Sequence, residues 1–428
     1  MSSRVVGADD VDAAAQAGIL AVGPRDVVTP LARERARERG VEIVVATPGT
    51  TAAVTGDRRT GSGTSSVPPP RPAPAAPRPS PAGARPPTVT GRSSTAPRPV
   101  RPPSGALFRR GAPLPSAVRP GAVRRVIVVG AGNVGTVTAM RLADADVFGE
   151  IVLVDVDEGR ARGVALDLAH SAALGGFATR VRGCGTVEEA GAADYVVITA
   201  GRARQPGMSR ADLVGSNAAI VGDVAARAAR TSPDAVLVVV TNPLDEMTQH
   251  AWQASGLPAE RVVGMAGVLD TARFRALVAP AAGDRPDRVR ALALGGHGEE
   301  MVIPLSQATV GGRPLAEVAD GVDAAVDRAR GSGAEVVGLL RNGSAFLAPG
   351  TAAASMVLAM VRDTGEVLPA AVLADGTYGI RDVYVGLPVR LGRGGVREIV
   401  EVDLAPDELT ALRAAADRIR ERVGALTR

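Results

Sequence analysis

The sequence contains no lysine, and all 49 of its basic residues are arginine. Its one cysteine, Cys184, excludes an internal disulfide and favours a reducing compartment, and we interpret it as a small buried residue rather than a catalytic thiol. With one Trp, three Tyr and five Phe, the core must consist mainly of Ala, Val and Leu. No apolar run approaches the length of a membrane span, and the first residues lack the charged-then-apolar pattern of a secretory signal. We therefore expect a soluble, cytoplasmic protein.

The 428 residues are enough for more than one domain, and the first 55 predict a small accessory unit. Residues 10–17 predict a short helix that Gly18 ends. Thr29 is a suitable N-cap for a second helix over residues 31–39, and residues 41–46 predict a strand. So short a chain seldom forms an independent core, which favours a docking or capping unit that needs a partner.

Residues 56–121 predict a disordered linker rich in proline and arginine. Seventeen of the 32 prolines lie between Pro68 and Pro120, and such a composition buries too little apolar area to fold. Residues 57–120 contain eleven arginines and one acid, a net charge of +10. Because the whole chain carries +4, the remaining residues carry −6. The basic character belongs to this segment, but without interleaved aromatic residues it does not favour nucleic-acid binding over a solubilising linker.

A strand, a glycine turn, a helix and a second strand follow one another between Val126 and Asp155. Gly130 permits the turn, Gly132 lets the backbone approach a pyrophosphate, and Gly135 allows close packing of helix on strand. The start of the helix offers free N–H groups to phosphates. Asp155 stands where it would accept hydrogen bonds from ribose hydroxyls and repel a 2′-phosphate, so the segment predicts NAD binding rather than NADP binding.

The rest of the chain alternates strand and helix, which predicts a parallel sheet with crossover helices. Within one predicted helix, Asp270 and Arg273 stand three residues apart and therefore share a face. His297, one of only three histidines, stands on a glycine-flanked turn after an apolar strand. The segment over residues 199–217 carries three arginines and predicts either a mobile cationic lid or a solvated loop.

Five ordered motifs, VGAGNVG, TAGRARQPGMSR, TNPLD, GMAGVLDTARFR and GGHGEEM, resemble those of the NAD-dependent lactate/malate dehydrogenase family. The resemblance extends over residues 123–428. It implies an α/β fold, in which a Rossmann-type doubly wound parallel sheet over residues 122–267 binds NAD. A substrate/catalytic domain of α+β type would follow over residues 268–428, and the accessory unit (1–55) and linker (56–121) would precede both.

The same resemblance implies the site residues. His297 would exchange a proton with the substrate, Asp270 would orient it, and Arg273 would bind the C1 carboxylate. Further substrate contacts would come from Arg204, Arg210, Asn242 and Ser344. NAD-binding residues would be Gly130, Gly132, Asn133, Val134, Gly135, Asp155, Thr199, Ala200, Gly201, Asn217 and Asn242. No metal is expected.

Arg204 decides the expected substrate, because malate enzymes of the family carry arginine there and lactate enzymes carry glutamine. A second guanidinium matches the extra carboxylate of malate or oxaloacetate, and a lactate or other 2-hydroxy-acid dehydrogenase remains the alternative. Two residues depart from the usual family pattern, Glu246 after TNPLD and Glu300 after His297. Either carboxylate would raise the pKa of His297 if it faced the pocket, but we expect both to point outward or to pair with arginines.

The segment VVTPLARERARERGVEIVV, residues 27–45, resembles short segments of some proteins associated with bacterial microcompartments. This resemblance implies a protein partner for residues 1–55, recruitment to a microcompartment, or a scaffold protein with a dehydrogenase-like body. Family members are commonly dimers or tetramers, so a homo-oligomer is expected.

Overall fold

A computed structural model describes residues 5–23, 26–28, 30–45, 124–202, 210–341 and 343–426, which fall into two compact units. Residues 56–121, the predicted linker, lie outside the described residues, as does the predicted N-cap Thr29.

The N-terminal unit consists of two strand–helix–strand segments. These are β1 (Val5–Val6), α1 (Ala8–Ala14), β2 (Ile19–Val22), β3 (Val27–Val28), α2 (Pro30–Arg39) and β4 (Glu42–Val45). Equivalent strands pair in parallel, β1 with β3 and β2 with β4. Val11 of α1 packs with Ala32 and Ala36 of α2 and with Val41, which gives the unit a small core. The two predicted helices and the last strand are thus present, with ends shifted by one to three residues.

The second unit begins with a six-stranded parallel sheet in the order β7–β6–β5–β8–β9–β10, which confirms the doubly wound Rossmann-type fold. Its strands are β5 (Arg125–Val129), β6 (Glu150–Val154), β7 (Arg180–Cys184), β8 (Tyr195–Ile198), β9 (Val236–Val239) and β10 (Val262–Gly264). The helices between them are α3 (Asn133–Ala145), α4 (Glu158–His170), α5 (Ala172–Gly175), α6 (Val187–Ala190), α7 (Arg210–Thr231) and α8 (Leu244–Ser255).

Strand β5 shows why these residues form a central strand. Val126 and Val128 pack on one face in the cluster that contains Leu142 of α3, whereas Ile127 packs on the other face in the cluster that contains Val221 of α7. A strand buried on both faces needs an unbroken β-branched apolar run, and this sequence supplies one.

The remaining chain extends the same sheet with antiparallel strands, as expected for an α+β region. It contains α9 (Gly267–Val278), β11 (Val289–Arg290), β12 (Leu294–Gly295), β13 (Met301–Val302), β14 (Thr309–Val310), β15 (Arg313–Pro314), α10 (Leu315–Val318), α11 (Val322–Leu340), α12 (Leu347–Arg362), β16 (Val367–Asp375), β17 (Arg381–Gly392), β18 (Gly395–Ile399) and α13 (Pro406–Leu426). Strand β16 pairs antiparallel with β10 through Gly264 and Ala371, and β17, β12 and β13 follow outward. The sheet therefore runs across the predicted domain boundary at residues 267/268. No helix in the described ranges is both long and apolar enough to cross a bilayer.

Candidate active site

Two of the three glycines in the turn between β5 and α3 leave no room for a side chain. A Cβ on Gly135 would lie 1.8 Å from the carbonyl oxygen of Gly130. Gly130 itself has a φ of +104°, and a Cβ there would lie 2.6 Å from Thr199 Oγ1. Gly132 differs, because a Cβ there meets no described atom within 4 Å. The open space at Gly132 lies at the start of α3, where helix N–H groups are available to a phosphate, as the predicted role of this glycine requires.

Asp155, at the carboxyl end of β6, is held against this turn. Its Oδ2 accepts the Ala131 N–H at 2.8 Å and its Oδ1 accepts the Asp157 N–H at 3.0 Å. A carboxylate has about four acceptor positions, so two remain for a ligand's hydroxyl groups. Asp155 lines a cavity of about 670 Å³ with Gly130 and Gly132. The shape and donors of this cavity suit the adenosine and pyrophosphate parts of NAD.

Two of the other predicted cofactor residues form a wall between this cavity and a second one. Thr199 and Gly201 line both cavities, whereas Ala200 lines only the first. Asn217 donates to the carbonyl oxygen of Asn242 at 2.7 Å and accepts the Arg202 N–H at 2.7 Å. Since its amide is engaged by the backbone, Asn217 shapes the wall. Val134 also lines the second cavity, and Asn133 is the first residue of α3.

The predicted catalytic residues come together beside the second cavity, which His297 lines and Asp270 does not. His297 Nδ1 donates to Asp270 Oδ2 at 2.8 Å, and Arg273 Nη1 donates to Asp270 Oδ1 at 3.2 Å. Asp270 and Arg273 lie on α9, as their spacing predicts, and His297 lies on the turn between β12 and β13. Because Nδ1 is used by Asp270, Nε2 remains to exchange a proton with a ligand.

The environment of His297 favours its protonated form. Burial alone would lower its pKa, but the charge and hydrogen bond of Asp270, helped by the charge of Asp245, raise the pKa above its ordinary value of 6.5. A histidine of this kind can act as a proton donor near neutral pH and as a proton acceptor at a higher pH.

The cavity around His297 has a volume of about 400 Å³. Arg273, Asn242 and Ser344 line it, as predicted. Arg204 lies outside the described residues, and Arg210 is the first residue of α7, with its side chain likewise undescribed. The predicted lid over residues 199–217 is therefore only partly described.

Asp245 and Arg422 are two site residues to which the sequence analysis assigned no role. Asp245 Oδ2 accepts the His297 N–H at 3.0 Å. Arg422, on α13, donates to Glu246 and, at 2.6 Å and 2.8 Å, to the two oxygens of Glu300. The expectation that both unusual glutamates pair with arginine is confirmed. Asp245 is the last residue of the TNPLD motif, so the sequence analysis could have considered it. No motif in the neighbouring sequence points to Arg422.

Comparisons with known proteins agree with this geometry. Residues 124–264 match the family model described as the lactate/malate dehydrogenase NAD-binding domain, and residues 267–426 match that of the lactate/malate dehydrogenase alpha/beta C-terminal domain. The chain is 46% identical over 299 residues to the malate dehydrogenase of Chloroherpeton thalassium, and the match covers 69% of this chain and 96% of that relative.

Solved structures of malate and lactate dehydrogenases also superpose on this chain. The malate dehydrogenase of Salinibacter ruber superposes with a TM-score of 0.68 at 43% identity, covering 71% of this chain and 97% of that one. A lactate dehydrogenase of Cryptosporidium parvum, complexed with lactic acid and NAD, superposes with a TM-score of 0.69 at 34% identity, covering 72% of this chain and 98% of that one. The chain therefore belongs to the lactate/malate dehydrogenase family.

Proposed function

We propose that the protein is an NAD-dependent malate dehydrogenase that interconverts malate and oxaloacetate. The observation that carries the proposal is the linked set His297, Asp270 and Arg273 in a cavity whose wall is shared with the glycine-turn cavity. One group exchanges a proton, one orients it and one binds a carboxylate, which is the set that oxidation of a 2-hydroxy acid requires.

Each of the three residues has one task. Bound NAD would supply the acceptor for the hydride that leaves the carbon bearing the hydroxyl. His297 Nε2 takes the hydroxyl proton, and Asp270 stabilises the resulting imidazolium. Arg273, whose side chain is only 15% exposed, holds the C1 carboxylate where the low dielectric strengthens the attraction. In the reverse direction, protonated His297 returns the proton to the carbonyl oxygen.

Arg204 supports malate as the substrate, since it stands where malate enzymes of the family carry arginine. Its guanidinium would pair with the second carboxylate, and a desolvated arginine without a partner would disfavour pyruvate. Arg210 would polarise the carbonyl as the segment closes over the cavity and excludes water. Asn242 and Ser344 would complete the substrate contacts.

NADH oxidation by the purified protein tests the substrate assignment, with oxaloacetate, pyruvate and longer 2-keto acids compared at equal concentration. Oxaloacetate should be preferred, and Arg204→Gln should shift kcat/KM toward pyruvate by about 100-fold relative to oxaloacetate, because the ion pair with the second carboxylate is lost. A wild-type preference for pyruvate would instead support the second candidate, lactate dehydrogenase, which the similarity to the Cryptosporidium parvum enzyme favours.

Homo-oligomer formation is a further part of the proposal. Leu166 on α4 is 58% exposed and Leu339 on α11 is 77% exposed, and apolar side chains so open to solvent suit a subunit interface. Light scattering after gel filtration should give a dimer or tetramer, and a monomer at micromolar concentration would contradict the proposal.

For residues 1–55 we propose docking to a protein partner, with a microcompartment component as the specific expectation. Support comes from the resemblance of residues 27–45 and from the small core of this unit. Fusion of residues 1–122 to a fluorescent protein should give punctate fluorescence in the native host. Diffuse fluorescence would leave the segment without a docking role, and the cytoplasm would be the location of the enzyme.

A further inference from the structure

Besides the hydrogen bond between the His297 imidazole and Asp270, contacts from two helices hold the turn that carries His297. The backbone N–H of His297 donates to Asp245 at the start of α8. Three residues later, Glu300 is bound by Arg422 through both of its oxygens and by Arg418 at 3.0 Å. The turn is therefore fixed from α8 on one side and from α13 on the other.

One guanidinium joins these two sides. Arg422 Nε donates to Glu246, which directly follows Asp245, while its two Nη groups donate to Glu300. Glu246 is only 4% exposed and the Glu300 side chain only 17% exposed. Carboxylates so poorly solvated require a partner, and removal of one member of a buried pair is far more costly than removal of both.

This cluster borders the catalytic histidine. Asp245, Glu246, His297 and Arg422 all line one cavity of about 200 Å³, which also reaches Asn242. The hydrogen bond and charge of Arg422 hold the pKa of Glu300 below its usual range, against the opposing effect of burial. Glu246 and Glu300 are also the two positions at which the sequence departs from the usual family pattern. Arg422 balances both departures at once.

We propose that Arg422 is a positioning residue of the active site: its guanidinium ties the His297 turn to the start of α8 and pairs with the two carboxylates on either side of that histidine's cavity. The predicted effect on malate oxidation rests on the proposed malate dehydrogenase activity. The predicted effect on the titration of His297 does not depend on that activity.

Several charged groups around His297 have to be considered together. Asp270 and Arg273 face it from α9, and Asp245 and Glu246 from α8. The charged groups that line its two cavities, contact it, lie on its turn or pair with that turn are Arg202, Asp245, Glu246, Asp270, Arg273, Glu299, Glu300, Arg418 and Arg422. Loss of Arg422 removes one positive charge from this set. Glu246 then loses its arginine and Glu300 keeps only Arg418, so the imidazolium becomes more stable. The histidine should then hold its proton to a higher pH.

Direct titration of the imidazole tests the proposal on the full chain. The protein has three histidines, so ¹³Cε1-histidine NMR resolves them, and the spectrum of His297→Gln assigns the signal. Arg422→Met should raise the titration midpoint of His297 by about one pH unit, as expected for one charge removed at several ångströms in a partly buried site. Arg422→Lys should restore most of the wild-type midpoint.

Arg420→Met is the matched control. Arg420 lies on the same helix and pairs with Asp417, away from the two glutamates, so this variant should leave the His297 midpoint unchanged. The charge-conserving combination Glu246→Gln and Arg422→Met removes one charge of each sign and leaves Glu300 paired with Arg418. It should return the midpoint to within about 0.3 pH unit of wild type.

The kinetic consequence is specific to pH. Arg422→Met should lower kcat/KM for malate oxidation about tenfold at pH 7 and recover most of it at pH 9, since the neutral imidazole is the proton acceptor. A merely structural role would lower the activity equally at both pH values.

An unchanged His297 midpoint in Arg422→Met would overturn the proposal. If that variant does not fold, Glu246→Gln with Arg422 intact should lower the midpoint, because it removes a negative charge. An unchanged midpoint in Glu246→Gln would likewise overturn the proposal. The NMR titration needs no substrate. If the malate assignment is wrong, the protein will not turn over malate, but the expected shift of the His297 midpoint will still be observed.

Discussion

The two cavities of the dehydrogenase body are built in different ways. The cofactor cavity is shaped by the backbone, since the carbonyl of Gly130 lies where a Cβ of Gly135 would have to be and backbone N–H groups fix Asp155. The catalytic cavity is built from charged side chains that hold one another, with Asp270 joining His297 to Arg273. Backbone geometry needs a short contiguous motif, whereas a charge network can draw on any part of the chain.

This difference predicts that catalysis and cofactor binding can be lost separately. His297→Gln removes the only proton-exchanging group in the linked set without disturbing the glycine turn. The kcat for oxaloacetate reduction should fall about 10³-fold, the usual contribution of general acid–base catalysis. The Kd for NADH, measured by fluorescence, should stay within about twofold. A large loss of NADH affinity would show that the two cavities are not independent.

Within the cofactor cavity, the two glycines should fail in different ways. Gly135→Ala forces a methyl group against the Gly130 carbonyl, so Tm should fall by about 5 °C and NADH binding should weaken with it. Gly132→Ala meets no described atom, so Tm should stay the same while the Kd for NADH rises about tenfold. Calorimetry and fluorescence titration of both variants check this. Equal loss of Tm in both would contradict the backbone origin of the cavity.

The smallest expected effect concerns Asp245, the buried neighbour of His297. Burial raises its pKa to about 7, partly offset by the hydrogen bond from the His297 N–H. Because the folded state then binds the proton more tightly than the unfolded state, stability falls as pH rises from about 4 through about 7. The side chain in Asp245→Asn does not ionise, so this variant avoids the loss of stability. The Tm of the variant minus the Tm of the wild type should therefore increase by about 3 °C between pH 4.5 and pH 8.

Asp234→Asn provides the control for that experiment, because its side chain is 94% exposed and the variant should differ little from wild type in Tm. A Tm difference for Asp245→Asn that stays constant from pH 4.5 to pH 8 would contradict the assigned environment of Asp245.

The sequence predicted the backbone-built cofactor cavity more completely than the cavity built from charged side chains. The strand–turn–helix–strand of residues 126–155 was predictable in full, because its glycines, β-branched runs and Asp155 are contiguous. The set Asp270, Arg273 and His297 was predicted from helical spacing and family resemblance, and the structure brings the three together.

Arg422 was not predictable, since it lies 176 residues from Glu246 and 122 residues from Glu300 in the sequence. Asp245 stood in a quoted motif, yet its contact with the His297 N–H depends on how α8 meets a turn that follows 52 residues later. A pairing that depends on tertiary packing leaves no periodic or compositional signal. The two unusual glutamates were the only hint, because buried carboxylates require a cation.

The most direct measurement is the pH dependence of kcat/KM for oxaloacetate reduction by wild type and by Asp270→Asn. Reduction needs protonated His297, so activity should persist above pH 6.5 in the wild type and fall as pH rises through the elevated pKa. Asp270→Asn removes the carboxylate that raises this pKa, so the fall should move to lower pH, with about 100-fold less activity at the optimum. An alkaline limb that stays at the same pH in Asp270→Asn would contradict His297, oriented by Asp270, as the proton donor.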